Sequence, residues 1–201
     1  VSLETGRIEK FEALARWERP GHGLIPPAEF IPIAEDSGLI IEIGEFMLEQ
    51  ASTDCAAWQE LAPGVGVTVN VSPYQFSQSD LAAKVLETLS GVGLDPRLLT
   101  VEITESAMSR DPELAISTLE TMRSVGVRVA LDDFGTGYSS LTQLRTLPID
   151  TLKIDKSFVD ILDDEHGDAS IVQAIVDLGR ARGLEIIAEG VATQEIGRAH
   201  V

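Results

Sequence analysis

Val67-Thr68-Val69-Asn70-Val71-Ser72 alternates without a break: the valines share one side of an extended chain, and Thr68, Asn70 and Ser72 share the other. The same division recurs in Thr100-Val101-Glu102-Ile103-Thr104 and in Thr151-Leu152-Lys153-Ile154-Asp155. Working outward, five apolar runs end in acidic or amide side chains: Val67–Asn70, Val101–Glu102, Val129–Asp132 with Asp133, Leu152–Asp155 and Ile186–Glu189. An earlier run, Phe11-Glu12-Ala13-Leu14-Ala15-Arg16, carries a sixth such residue within it, and its alternation aims Glu12 and Arg16 inward. A lone buried carboxylate is costly to desolvate, so a set delivered by separate strands calls for a compensating partner. A divalent metal at the strand ends of an α/β barrel supplies one.

Between the strands the pattern is helical. Pro26-Pro27-Ala28-Glu29 opens a helix, with proline tolerated in its first turn. Further helices are expected over Ile40–Leu61, Pro73–Ser90, Pro112–Val125 and Ile171–Arg182, with Gly126 ending the fourth of these five. A short helix to Leu144 should follow a loop over Asp132–Ser140. The strands fall at Phe11–Trp17, Val65–Ser72, Leu99–Thr104, Val127–Leu131, Thr151–Asp155 and Leu184–Ala188. Strands alternating with helices imply a parallel sheet. Helix-covered apolar faces outside and polar residues converging inside describe a TIM-like (β/α) barrel whose top holds the site. A doubly wound open sheet would gather its site at one crevice instead.

Six inward-facing strands are counted, with hints of another before Leu3, and Ile196–Val201 starts a helix that gains no full apolar face. A typical barrel takes about 250 residues, so an incomplete barrel lacking its first and last strands is expected.

The 201 residues, 44% hydrophobic, suffice for the core of one domain. No apolar stretch approaches the roughly 20 residues that span a bilayer, and Val1-Ser2-Leu3-Glu4 shows no basic leader. Cys55, the single cysteine, fits a reducing cytoplasm and reads as core filler beside Met47, Ala51 and Trp58. Acids outnumber bases 33 to 15, a formal charge of −18, which argues against a nucleic-acid polymer as partner. A small phosphate ligand stays open, because bound cations reverse the field of an acidic pocket. The three histidines, His22, His166 and His200, read as surface residues.

Glu12-Ala13-Leu14 inside Phe-Glu-Ala-Leu-Ala-Arg-Trp resembles the signature of EAL domains, the cyclic di-GMP phosphodiesterases. It is followed in order by Asn70-Val71-Ser72, Glu102-Ile103-Thr104-Glu105, Asp132-Asp133-Phe134-Gly135-Thr136-Gly137-Tyr138-Ser139-Ser140, Lys153-Ile154-Asp155 and Ala188-Glu189-Gly190-Val191. The resemblance covers nearly the whole chain and implies one EAL-type domain over residues 1–201, truncated at both ends. It implies that Glu12, Asn70, Glu102, Asp132, Asp133 and Glu189 bind two divalent ions, Mg2+ or Mn2+. The all-oxygen donor set suits hard cations and disfavours zinc. Five carboxylates against two such ions leave one net negative charge.

The resemblance also gives Lys153 a role at the attacking water or the scissile phosphate, a structural salt bridge being its plainer reading. Glu12 and Glu189 join Lys153 in the catalytic set, and Glu105 enters it as the tether of the loop beginning at Asp132. Arg16 is expected at a substrate phosphate. Asp155 is expected near the guanine, or as a residue that orients Lys153. The implied reaction is two-metal hydrolysis of cyclic di-GMP to linear pGpG. The alternative is a degenerate module that binds cyclic di-GMP as a receptor; Ala192, where the family usually has an acid, is the feature in its favour. The family further implies a parent carrying sensory or GGDEF-type domains and admits a homodimer. The expected location is the cytoplasm, whether free or as the cytoplasmic part of a membrane-bound parent.

Overall fold

A computed structural model of the chain describes residues 1–76, 80–108, 111–135, 146–160 and 170–191. Six parallel strands form the main sheet: β1 (Lys10–Ala13), β4 (Gly66–Asn70), β5 (Leu99–Thr104), β6 (Arg128–Phe134), β7 (Thr151–Ile154) and β8 (Glu185–Ala188), paired in that order. A separate hairpin pairs β2 (Trp17–Arg19) with β3 (Gly23–Ile25). The helices are α1 (Pro27–Ser37), α2 (Ile40–Trp58), α3 (Pro73–Phe76), α4 (Leu81–Val92), α5 (Pro112–Ser124), α6 (Lys156–Asp160) and α7 (Ser170–Arg182). The sheet curls until its end strands approach each other, Lys10 Nζ of β1 lying 3.1 Å from Glu185 Oε2 of β8. This is the expected incomplete TIM-like barrel.

The outward faces of the strands make the core. Val67, Val69, Val101, Ile103, Val129, Leu131, Leu152 and Ile154 are buried against Leu48 and Cys55 of α2, Val85 and Leu89 of α4, Leu119 and Met122 of α5, and Val172 and Ile175 of α7. Cys55 is core filler, as expected, with burial pushing its thiol up. Local signals set the ends of α5: Asp111 accepts from the Leu114 amide at 3.0 Å beside Pro112, and Gly126 turns the chain at φ 105°. Among the described residues no helix is long and apolar enough to cross a membrane.

Several boundaries differ from the sequence expectation. The strand over Phe11–Trp17 stops at Ala13, because Trp17 enters the hairpin and packs edge-on against Phe30 of α1, 5.8 Å between ring centres. Pro20-Gly21-His22 is the turn of that hairpin, with positive φ at Gly21 and at Gly23, which opens β3. β6 runs on through Asp132 and Asp133 to Phe134, so the two acids lie on a strand rather than in a loop. The helix expected over Pro73–Ser90 is replaced by α3 and α4, with 77–79 outside the described residues. No strand precedes Leu3 among the described residues; the Ser2 and Arg7 backbones bond across a turn there. The short helix to Leu144, Ala192 and Ile196–Val201 lie outside the described residues.

β4 begins where two backbones nearly touch. The Gly66 amide donates to the Glu9 carbonyl at 2.8 Å, and a Cβ on Gly66 would stand 2.7 Å from the Leu98 carbonyl oxygen. Main chain cannot yield as a side-chain tip can. Gly66→Ala is therefore expected to cost about 1–3 kcal/mol, read as a lower urea midpoint at unchanged slope; a wild-type midpoint would show that the chain at Leu98, just before β5, moves aside freely.

Candidate metal centre

Parallel strands place residues of equal phase side by side, and the register delivers polar side chains to the C-terminal end of the curl. Asn70 of β4 stands opposite Glu102 of β5, and Thr104 of β5 opposite Asp132 of β6. Glu12 of β1 joins them through Asn70, whose Nδ2 donates to Glu12 Oε1 at 2.9 Å. Glu189 follows β8 directly, its amide donating to the Ile154 carbonyl at 3.1 Å. Carboxylate oxygens of Glu102, Asp132 and Glu189 all lie within 4.8 Å of one another.

Lys153 of β7 stands among these three. Its ammonium pairs with Glu102, with Asp132 Oδ1 at 3.2 Å and with Glu189 Oε1 at 2.5 Å. The cluster grades from dry to wet: Glu102 is 1% and Lys153 6% exposed, Asp132 and Glu189 are half-buried, and Glu12 faces solvent. Burial lifts Glu102 to about 7, against the pull of Lys153 and with help from the charges of Asp132 and Glu12. Burial also lifts Glu189. For Lys153 burial works the other way, yet hydrogen bonds to Glu102 and Glu189 and the charge of Asp132 hold it above its ordinary value, so it stays protonated.

The remaining expected site residues sit around this cluster. Asp133 occupies an irregularity in β6, where the register with β7 shifts between Leu131 and Phe134 and Asp133 itself adopts φ 54°. Its carboxyl is raised by burial and by the charges of Asp132 and Asp155. Glu105, in the turn after β5, accepts from the Gly135 amide at 3.4 Å and so holds the chain just beyond the paired aspartates. Asp155 caps α6: it accepts from the Ser157 amide at 3.0 Å and from the Ser157 hydroxyl, which keeps its carboxyl low. The ion pairs of Lys153 do not include Asp155. Arg16 lies beyond the end of β1, exposed, with Nη1 donating to the Ala15 carbonyl at 2.9 Å. It makes no ion pair among the described residues, and the regular alternation that would aim it inward ends at Ala13.

Two supporting groups escaped the sequence reading. Ser72 bonds Glu35 of α1 through its hydroxyl at 2.6 Å, and its amide donates to Gln75 Oε1 at 3.0 Å, fixing the turn that follows Asn70. At the far end of the curl, Lys10, Arg128 and Thr151 all donate to Glu185 Oε2. The signal for this second group was present, since Lys10 shares the phase of Glu12 and Glu185 that of Glu189.

The model of the EAL domain family matches residues 1–199. The chain belongs to the EAL domain family. It is 45% identical to the bifunctional diguanylate cyclase/cyclic di-GMP phosphodiesterase MucR of Pseudomonas aeruginosa, over 96% of this chain and 28% of that protein. It is 44% identical to an uncharacterised signalling protein of Caulobacter vibrioides, over 94% of this chain and 23% of that protein. This EAL chain thus spans about a quarter of the length of those relatives. The PaMucR phosphodiesterase in complex with c-di-GMP superposes with a TM-score of 0.89 at 43% identity, covering 96% of this chain and 78% of that one. The EAL enzyme Bd1971 in its cGMP-bound form gives 0.91 at 35% identity, covering 98% and 55%.

The raised carboxyls set a pH dependence. Between the ordinary 4.5 and about 7, folded Glu102 keeps a proton that the unfolded chain releases, so stability falls as pH rises through that window. Glu189 and Asp133, also raised, act with the same sign. Urea midpoints of chelator-treated protein should decline from pH 4.5 to 7.5, and Glu102→Gln should flatten most of the decline. A midpoint that rises over this range would contradict the assignment.

Proposed function

We propose that this EAL domain hydrolyses cyclic di-GMP to linear pGpG in a reaction that uses two divalent cations. The observation that carries the reading is the convergence of Glu102, Asp132 and Glu189 on one point, flanked by Glu12 and Asn70. The chemistry of the donors fits the ions. Three carboxylates share a single ammonium, leaving negative charge that Lys153 alone does not neutralise, and every donor is oxygen. Glu12, Asn70, Glu102, Asp132, Asp133 and Glu189 would hold Mg2+ or Mn2+. When bound, two such ions neutralise charge at the scissile phosphate and acidify the attacking water.

The chain's own groups supply the rest. Lys153, held protonated, donates to the water or to a non-bridging phosphate oxygen. Glu12, at the wet edge of the cluster, and Glu189, on the opposite strand, flank the reacting centre. Glu105 keeps the chain beyond Asp132 and Asp133 in place, Arg16 meets a substrate phosphate from the rim, and Asp155 lies toward the guanine. One water adds across one phosphodiester bond and the bond from phosphorus to the 3′ oxygen breaks, giving a linear dinucleotide with a 5′ phosphate. MucR combines this activity with a diguanylate cyclase, which supports a larger parent with a GGDEF-type partner domain.

The deciding test is chromatography of nucleotides after incubation with cyclic di-GMP and Mn2+, with and without chelator. Linear product that disappears with chelator is expected; tight binding without product would establish the receptor reading instead. Glu12→Ala, tested in the complete parent protein, should lower turnover by more than about 100-fold, since even groups behind metal ligands cost roughly 10–100-fold. Near wild-type turnover would remove Glu12 from the ligand set. Ca2+ should support binding better than turnover, because its longer and looser coordination suits an in-line displacement poorly; equal rates with Ca2+ and Mg2+ would refute that.

A further inference from the structure

We infer that Lys10 and Glu185 form a cross-lumen tie that positions Glu12 against Glu189, making Lys10 a positioning residue for the metal centre. The inference rests on the metal-site reading above. β1 is hydrogen-bonded to β4 and β8 to β7; among the described residues β1 and β8 meet through side chains, not through backbone pairing. Yet these two strands carry Glu12 and Glu189, which face the same cluster from opposite ends of the sheet.

The tie lies in the same two strands. Lys10 is two residues before Glu12 and so on the same face; Glu185 is four before Glu189, again in phase. Lys10 Nζ reaches Glu185 Oε2 at 3.1 Å, and Arg128 Nη1 and Thr151 Oγ1 donate to that same oxygen at 3.1 Å each. Thr151 is fully buried and pairs in register with Glu185, so β8's end of the tie is anchored to β7. Outside the curl, Phe11 packs edge-on against Trp58 of α2, 5.2 Å between centres. β1 is thus gripped from both faces between the tie and α2, one residue before the ligand it presents. Burial disfavours the Glu185 carboxylate, but Lys10, Thr151 and Arg128 outweigh it and hold its carboxyl low.

Lys10→Met removes the tie while leaving Glu185 with Arg128 and Thr151, and it keeps most of the aliphatic stem. Lys10→Arg keeps charge and reach. Leu89→Ala, in the core of α4, is the control for lost stability alone. Two measurements are made on protein without substrate. Mn2+ affinity is read by titration calorimetry. The distance between spin labels at Glu9→Cys and Ala188→Cys, with buried Cys55 untouched, is read by double electron–electron resonance after chelation. Lys10→Met should weaken Mn2+ binding about tenfold, the lower end for a group that orients a ligand, and broaden the distance distribution. Lys10→Arg should restore both, and Leu89→Ala should change neither. Wild-type affinity in Lys10→Met, or a loss matched by Leu89→Ala, overturns the inference. If the unaltered protein itself binds no Mn2+, the metal reading fails and the inference with it; the label distances then decide separately whether the tie sets the strand separation.

Discussion

One buried ammonium governs the upper end of this fold. Three carboxylates within 4.8 Å of one another, in a setting where Glu102 is almost wholly enclosed, repel strongly. Lys153 reaches all three from β7, which lies between the strands bearing Asp132 and Glu189 and one strand removed from Glu102. A buried network of this kind does little for stability compared with apolar packing. Its effect is on arrangement: it gathers the three carboxylates at one point. The raised proton affinity of Glu102 comes first from its burial, and the neighbouring charges of Asp132 and Glu12 add to it.

The regular parts of the chain were legible because periodicity and packing agree there. Leu99–Thr104 was placed to the residue, since its outward side is fully apolar and its flanks carry turn signals. The acids and amides at the run ends were legible for a related reason, since a polar residue ending an apolar run has few purposes in a parallel sheet, and the resemblance to EAL domains implied six of the residues as ligands. The structure gathers Glu12, Asn70, Glu102, Asp132 and Glu189 at one end of the curl, with Asp133 beside them. What escaped depends on contacts distant in sequence. Nothing near Phe11 announces that Trp17 leaves the strand for Phe30, so the alternation expected through Arg16 ends at Ala13 instead. Ser72 and Glu35 likewise meet only once α1 has folded against the turn after β4.

The end of β6 shows how a strand presents two consecutive acids to one region. Regular alternation would send Asp132 and Asp133 to opposite faces. The register shift against β7 and the left-handed backbone at Asp133 break that rule. Aspartate tolerates this conformation better than most residues, at a cost on the order of 1 kcal/mol or more. Strain of that sort persists where surrounding structure over-determines it, and Glu105, bonded to Gly135 immediately beyond, is part of that surrounding structure.

The contact between Lys10 and Glu185 spans 175 positions of sequence, and this has a consequence for how the chain is made. During synthesis Lys10 leaves the ribosome 175 residues ahead of Glu185 and waits until β8 has emerged before its partner exists. Parallel pairing adds delay at every step, since each strand must await the helix that returns the chain to the sheet. Closing so long a loop costs only slightly more entropy than closing one half its length, so the burden falls on rate rather than on equilibrium. Until then β1, already paired with β4 along one side, keeps its other edge open to wrong partners.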